Sequence, residues 1–137
     1  MAEPLELRLT VVTDADVVEA RQRGRALAAE AGFSSAEQTS IAAAIFEVAR
    51  NILTHAQKGE IILGLVQSGD RNGVSVTAID QGPGIPDIAQ AMQDGYPTSD
   101  GVGTGLPGAK RLMDEFQVDS VVGRGTTVTM KKWRRAT

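Results

Sequence analysis

The sequence contains no cysteine. This absence excludes a disulfide framework, thiolate metal ligands and a cysteine nucleophile, and it suits a reducing compartment. No apolar run approaches the roughly 20 residues that a membrane helix needs, and the N-terminus lacks the basic and apolar regions of a signal peptide. With a net charge of −3, nothing global attracts nucleic acid. We therefore expect a cytoplasmic protein that has neither a membrane nor a nucleic acid as its partner.

The composition is typical of one globular domain. The chain has 137 residues, of which 42% are hydrophobic and 23% are charged, so a single domain spanning residues 1–137 is expected. Its 15 glycines fall in clusters, which indicates that special backbone geometry is needed at particular places.

The first half of the chain predicts one strand followed by two helices. Apolar and polar residues alternate over residues 5–11, which is the period of a half-buried strand. Two capping-box patterns predict helix starts: Thr13 with Asp16, and Ser34 with Glu37. The first helix is expected to reach Gly32 and the second about His55. Apolar residues at helical spacing predict the core face of the second helix: Ile41, Ile45, Val48 and Ile52.

The second half predicts two hairpins with a glycine-rich loop and a helix between them. Residues 60–67 and 74–80 are predicted strands joined by a turn, and the first has the apolar run of a central strand. The other predicted elements are a short helix near Asp87 to Met92, a mobile loop from Asp94 to Thr104, a third helix from about Leu106 to Phe116, and a hairpin around Gly123 to Gly125. Together these elements predict a two-layer α/β sandwich, with a mixed sheet and helices on one face.

Glu47, Asn51 and His55 recur every four residues along the flank of the predicted core stripe. A carboxylate that can accept a hydroxyl proton, beside an amide oxygen that can ligate Mg²⁺, is a suitable pair for phosphoryl transfer. Spacing alone favours a simpler interpretation, a polar flank with local hydrogen bonds, and His55 receives no role.

Asp80 lies at a predicted strand end and is followed by Gly82 and Gly84. Its carboxylate can accept a hydrogen bond from an exocyclic amine, and the glycines would let a flat base approach the backbone. The same pattern is common in ordinary turns, so both interpretations stay open.

A second glycine-rich segment, residues 101–106, leads directly into the third predicted helix. Free N–H groups and the helix dipole make such a junction a phosphate site. Its overlapping match to a dinucleotide fingerprint fails, because no buried strand precedes it. The Walker pattern and the H-R-D and D-F-G motifs of eukaryotic-type kinases are absent from the sequence. The segment 125–127, taken alone, is an ordinary strand start with β-favouring threonines.

Taken in order, four segments resemble the ATP-site motifs of the GHKL superfamily, which comprises gyrase, Hsp90, histidine kinases, MutL and the anti-sigma serine kinases. They are EVARN at 47–51, DQGPGI at 80–85, GVGTGL at 101–106 and GTT at 125–127. The resemblance spans most of the chain, and the small size points to the anti-sigma kinase branch. Residues 19–33 and 80–116 are most similar to the RsbT-type switch kinases of bacterial stress signalling.

The resemblance implies a Bergerat-type ATP-binding fold, with ATP and Mg²⁺ as cofactors. Glu47 would be the general base toward a substrate hydroxyl, and Asn51 the Mg²⁺ ligand. Asp80 would hold the adenine amino group, and Thr126 would add a polar contact through water. The other expected nucleotide-binding residues are Gly82 and Gly84, which would shape the purine pocket, Gly101, Gly103 and Gly105, which would form the lid hinge and phosphate contacts, and Ile85, Thr104 and Leu106.

The resemblance also implies protein partners. Proteins of this type phosphorylate serine or threonine on STAS-domain antagonist and scaffold proteins, and once released they bind and activate a metal-dependent serine phosphatase. Three alternatives stay open: a binding switch that nucleotide only biases, a direct anti-sigma factor with kinase activity, and a fragment of a histidine kinase. The last is disfavoured, because no predicted helix presents a phosphoacceptor histidine with a dimerisation stripe.

Overall fold

A computed structural model describes residues 6–85, Met92 and residues 105–134, and these residues form five strands and three helices. In chain order they are β1 (Glu6–Val11), α1 (Asp14–Glu30), α2 (Ser35–Ala56), β2 (Gly59–Ser68), β3 (Arg71–Asp80), α3 (Gly105–Leu112), β4 (Glu115–Val121) and β5 (Gly125–Trp133). The predicted short helix, apart from Met92, and the predicted loop from Asp94 to Thr104 lie outside the described residues. None of the described helices is long and apolar enough to cross a membrane.

The strands form one sheet in the order β1-β2-β3-β5-β4, with β2 in the interior and β3 in the middle. Every pairing among the described strands is antiparallel, so the sheet is antiparallel and not mixed as the sequence suggested. The reason is the connectivity. Short turns reverse the chain between β2 and β3 and between β4 and β5, and two successive helices bring it back antiparallel between β1 and β2.

Both predicted capping boxes are confirmed, and they determine where the two long helices begin. The hydroxyl of Thr13 accepts from the N–H of Asp16 at 3.2 Å, and the hydroxyl of Ser34 accepts from the N–H of Glu37 at 3.1 Å. Each contact satisfies an N–H group that has no partner inside its own helix. α2 ends at Ala56, and the next residue, Gln57, caps it in a left-handed backbone conformation with φ 71°.

The core lies between the helices and one face of the sheet, and the predicted stripe of α2 is confirmed as its centre. Ile41, Ile45, Val48 and Ile52 are each at most 1% exposed, and they pack with buried side chains of β2, β3 and β5. α1 can approach α2 closely because Gly24 is buried at their contact, where an added Cβ would collide with Ile45. The result is the two-layer α/β sandwich that the sequence predicted.

The third helix is shorter than the sequence suggested, and its C-terminal part is a strand. α3 ends at Leu112, whose carbonyl oxygen accepts from the Lys132 ammonium group at 3.0 Å. Phe116, the predicted helix end, lies in β4 opposite Met130. Exposed and half-buried residues alternate throughout β4, the period of a strand with one solvated face, and pairing with β5 satisfies its backbone. Pro107 lies in the first turn of α3, as predicted.

Candidate active site

A row of residues crosses the sheet where β1 and β3 end and β2 and β5 begin, on the face that the helices cover. Register places Gly59 opposite Asp80, Asp80 opposite Thr126, and Thr126 opposite Ser120. Asp80 is only 9% exposed and Thr126 only 5%. The next residues on the same face toward the middle of the sheet, Ala78 and Val128, are apolar. Buried polar side chains therefore mark this end of the sheet, whereas the core beside it is apolar.

Asp80 is tied to the turn that follows it. Its Oδ1 accepts from the N–H of Gly82 at 2.9 Å. A Cβ at Gly82 would stand 2.6 Å from the Cβ of Ala56, so glycine is required for this turn to pack against the C-terminus of α2. The turn thereby connects the acid on the sheet to the helix that carries Glu47 and Asn51.

Gly84 is required for a different contact of the same segment. Its φ is +79°, and an added Cβ would lie 2.6 Å from the carbonyl oxygen of Val121 at the end of β4. The N–H of Ile85 donates to the hydroxyl of Ser120 at 2.7 Å. Both predicted glycines thus shape this wall of the site through close contacts with neighbouring protein segments.

Gly125 determines how closely β5 approaches the end of β3. It has a φ of +130°, and an added Cβ would overlap the carbonyl oxygen of Asp80 and lie 2.8 Å from Cα of Gln81. Only glycine fits such a contact. The glycine of the 125–127 segment is therefore what lets Thr126 lie directly beside Asp80.

Thr126 is linked to a hydroxyl that the sequence analysis missed. Its Oγ1 lies 2.9 Å from Oγ of Ser120, and the same Oγ lies 3.2 Å from the carbonyl oxygen of Gly125. The sequence did carry a signal for this residue. In a hairpin that turns around Gly123, counting back along β4 places Ser120 opposite Thr126, on the same face of the sheet.

Glu47 and Asn51 lie on α2 as predicted, each half-buried, beside the buried residues Val48 and Ile52. Ala56, which touches the turn after Asp80, follows Glu47 by nine residues, which is about 13 Å along the axis of α2 and about half a turn around it. His55 is exposed. The arrangement therefore has two ends, an Asp80–Thr126 end and a Glu47–Asn51 end, on one side of the sheet.

Two arginine side chains lie over the ring of Phe46, the residue before Glu47. The guanidinium groups of Arg21 and Arg50 lie 5.2 Å and 5.7 Å from the centre of its ring. Cations at these distances interact favourably with an aromatic face. Arg50 is half-buried and lies against Phe46.

The predicted phosphate site falls partly within the described residues. Gly105, with φ +64°, is the first residue of α3, and Leu106 behind it is only 4% exposed. α3 packs on α2, the helix that carries Glu47 and Asn51. Gly101, Gly103 and Thr104 lie outside the described residues. A cavity of about 320 Å³ adjoins the Asp80 end, with Ala56 and Lys58 among its lining residues.

The sequence that forms this fold and this row of residues matches a known protein family. The family model of the histidine kinase-like ATPase domain matches residues 11–132, nearly the whole described chain. The protein belongs to this family, and the predicted membership is confirmed.

The chain is also similar to individual proteins, among them a serine/threonine-protein kinase and anti-sigma F factors. The serine/threonine-protein kinase RsbT of Bacillus subtilis (strain 168) is 50% identical over 125 residues, which cover 91% of this chain and 94% of the relative. The anti-sigma F factor of Thermoanaerobacter sp. (strain X514) is 32% identical over 112 residues, covering 79% of this chain and 78% of that protein. The anti-sigma F factor of Geobacillus stearothermophilus is 33% identical over 101 residues, with 70% and 69% covered.

These similarities confirm the enzyme class that the sequence predicted. The chain is a serine/threonine protein kinase built on an ATP-using domain. Its structure brings together Asp80, Gly82, Gly84, Ile85 and Thr126 at one end of the site. The roles of individual residues within that site are proposals.

Proposed function

We propose that this kinase transfers the γ-phosphate of ATP to a serine or threonine on STAS-domain antagonist and scaffold proteins, and that on release it binds and activates a metal-dependent serine phosphatase. The resemblance of the sequence to RsbT-type kinases supports this choice of partners. The observation that carries the catalytic part is the buried Asp80–Thr126 pair, joined through the Gly82 turn to the helix that bears Glu47 and Asn51.

The purine would bind at the Asp80 end. Asp80 can accept from the exocyclic amine of adenine through an oxygen that does not hold the Gly82 N–H, because a carboxylate has about four acceptor positions. Thr126, one strand away on the same face, would add a polar contact. Both side chains are buried, so their hydrogen bonds to a base would face little competition from water.

The phosphates would then extend toward α3 and the Glu47–Asn51 end. The N-terminus of α3 offers N–H groups and a favourable dipole to an anion. Asn51 suits Mg²⁺, since this ion takes few protein ligands and completes its octahedron with water and phosphate oxygens. Bound Mg²⁺ would supply neutralisation of charge on the phosphate oxygens.

Glu47 would accept the proton of the attacking hydroxyl. It lies one helical turn before Asn51 on the same side of α2, so the two can act on the same phosphate. Phosphoryl transfer depends mainly on positioning the reactants and on stabilising charge in the transition state, and a positioned base increases the rate further.

Replacing Glu47 with alanine tests this assignment. We expect transfer of radiolabelled phosphate from ATP to a STAS-domain substrate to slow by about 10²–10⁴-fold, while ATP affinity by calorimetry stays close to that of the parent. Glu19→Ala, which removes an exposed glutamate of α1, is the matched control and should transfer at the parent rate. Transfer by Glu47→Ala at the parent rate would refute the role of Glu47.

A second function is favoured by the anti-sigma F relatives, which are 32% and 33% identical to this chain. We propose it as the alternative: direct binding of a sigma factor, with kinase activity retained. Pull-down of the chain against sigma factors and STAS-domain proteins separates the two proposals. A nucleotide-biased binding switch would instead show phosphatase activation and partner binding that Glu47→Ala leaves unchanged, together with no transfer by the parent.

A further inference from the structure

A cavity of about 320 Å³ lies at the end of the sheet where β1 and β3 end and β2 begins. Three of its lining residues, Thr10, Glu60 and Ile79, form one row across these strands. Side chains alternate between the two faces of a strand, so this row faces away from the helices, whereas Asp80, one residue further on, faces toward them. The cavity therefore opens mainly on the opposite face of the sheet from the candidate nucleotide site.

The wall of this cavity is largely apolar, although it is in contact with solvent. Val12 directly follows β1 and is 48% exposed, and Ala56 and Ile79 are half-buried. The described helices pack on the other face of the sheet. An apolar group placed in the cavity would remove this surface from water, which is favourable. Apolar surface exposed in a concave setting is typical of a binding site.

The rim of the cavity carries a positive charge. Lys58 is exposed, and no ion pair joins it to any residue that the structure describes. The carboxylate of Glu60 already accepts from the Arg8 guanidinium at 3.0 Å. Asp80, the other acid of the lining, directs its side chain to the opposite face and accepts there from the N–H of Gly82. An anionic group beside the apolar wall would therefore complement Lys58.

The size and position of the cavity indicate which kind of partner it fits. Its volume is at the lower end of the roughly 300–1,000 Å³ that is typical of ligand pockets, and its lining residues Val12 and Lys58 are exposed. A small pocket at the protein surface fits one anchoring side chain of a partner protein, as at the centre of many interfaces. An aliphatic side chain matches the apolar wall, and a carboxylate next to it along the partner chain matches Lys58.

We propose that this cavity is a docking site for a partner protein, which places an aliphatic side chain against Val12 and Ile79 and pairs an adjacent carboxylate with Lys58. This inference goes beyond the proposed kinase function and does not depend on it. Docking here would leave the candidate nucleotide site accessible, because the two lie mainly on opposite faces of the sheet.

A short peptide tests the proposed chemistry. The probe is acetyl-Leu-Glu-amide, titrated to millimolar concentration into the ¹⁵N-labelled chain, and amide chemical shifts report where it binds. We expect saturable shifts at the amides of Lys58, Gly59, Glu60 and Gln81. Acetyl-Leu-Lys-amide should bind about two- to fivefold more weakly, the range of an exposed ion pair. Acetyl-Ala-Glu-amide should also bind more weakly, because its methyl group buries less apolar surface. Absence of saturable shifts at these amides, or equal binding of the Leu-Glu and Leu-Lys peptides, would overturn the proposal.

Charge reversal at the rim gives a sharper result. Lys58→Glu should invert the preference, so that the Leu-Lys peptide binds more tightly than the Leu-Glu peptide. Lys110→Glu, which reverses another exposed lysine on α3, is the matched control and should keep the parent preference. A preference for the Leu-Glu peptide that survives Lys58→Glu would contradict the role of Lys58.

The apolar wall is tested at Val12, whose side chain is exposed and whose contact with Asp16 uses only the backbone N–H. Val12→Ser should therefore keep the fold and weaken binding of the Leu-Glu peptide by about fivefold. Val18→Ser is the matched control: it removes a valine of α1 that is 37% exposed and does not line the cavity, and it should bind as the parent does. Equal effects of the two substitutions would show that the peptide does not use the cavity.

ATP distinguishes this cavity from the candidate nucleotide site, to which it is close: Ala56 lines the cavity and also contacts the turn at Gly82. Saturating ATP with Mg²⁺ should leave the dissociation constant of the peptide unchanged. A constant that rises in proportion to the ATP concentration would mean that both ligands compete for one site, and the proposal would fail. It would fail as well if concentrating the protein alone shifted the same amides, since a second copy of the chain would then be the occupant.

Discussion

Gly125 carries the contact between the start of β5 and the end of β3. Its φ of +130° and the position of the Asp80 carbonyl oxygen leave no space for a Cβ. Gly123, two residues earlier in the same turn, also has a positive φ, +84°, yet no atom of the described residues lies within 4 Å of the place a Cβ would take. An alanine at Gly123 would therefore meet backbone strain, whereas an alanine at Gly125 would meet both backbone strain and steric overlap.

We predict that Gly125→Ala is more destabilising than Gly123→Ala. The Gly123 substitution should lower the free energy of unfolding by about 1–2 kcal/mol, the cost of a left-handed conformation for a residue with a Cβ. The Gly125 substitution adds displacement of β5 from Asp80, so we expect a larger loss together with weaker ATP binding. Urea unfolding and calorimetry measure both. Equal effects of the two substitutions would show that β5 adapts without disturbing the site.

The capping box of α1 shows how a local element responds to pH. The Asp16 carboxylate accepts from the N–H of Val12 at 2.9 Å and from that of Thr13 at 3.1 Å. The hydrogen bond from Val12 is the largest influence on the pKa of Asp16, which lies below its ordinary value of 3.8 despite some opposing desolvation. The ionised carboxylate therefore stabilises the start of α1.

The sign of the pH dependence follows from this lowered pKa. A carboxyl group with a depressed folded pKa contributes stability above the pKa of the unfolded chain, and the contribution is lost as the pH falls through the folded pKa. We predict that Asp16→Ala melts at a lower temperature than the parent at pH 6, and that the difference shrinks once the pH drops below about 4. Thermal melts from pH 6 to pH 2 measure it.

Asp14→Ala is the control for this element, because it removes another acid from the same first turn and leaves the capping box intact. A difference between Asp16→Ala and the parent that stays constant down to pH 2 would contradict the assignment. It would mean that Asp16 acts through helix propensity and not through its charge.

At the scale of the whole molecule, nucleotide binding and folding are linked. The candidate site draws on residues of β3, α2, α3 and β5, so a ligand held there should bind the folded chain and not the unfolded one. Such a ligand stabilises by about 2.7 kcal/mol when its concentration is 100 times its dissociation constant.

We therefore predict that ATP with Mg²⁺ raises the melting temperature of the parent and that Asp80→Asn loses most of this increase. Asp119→Asn is the matched control: it removes an exposed acid from β4, near the same end of the sheet but on its other face, and should keep the full increase. Scanning calorimetry with and without nucleotide gives both values. A ligand-induced increase in Asp80→Asn equal to that of the parent would remove Asp80 from the site.

Much of the fold could be predicted from local patterns. The capping boxes, the stripe on α2 and the final hairpin all depend on residues within one or two turns of each other, and each is present in the structure. The end of the third helix was missed because the segment around Phe116 carries both a helical and a strand period. Pairing with β5, which is not a local interaction, selected the strand.

The candidate site could be predicted only in part, for a related reason. Asp80 and Thr126 lie in sequence motifs, and structure placed them side by side. The spacing of Glu47 and Asn51 showed a shared helix face, but not which end of the sheet that face meets. Ser120 belongs to none of the four motifs, and its importance depends on a register between strands.

The sequence by itself determined which residues start helices, which side chains form the core face of α2, and where glycine is concentrated, because these are properties of neighbouring residues. The tertiary structure alone decided the strand order, the antiparallel sheet and the convergence of Asp80, Thr126, Ser120 and the Gly82 turn. Those contacts join segments up to 60 residues apart in the chain, as between Gly73 and Trp133. They form only when the sheet pairs as a whole, so no local pattern specifies them.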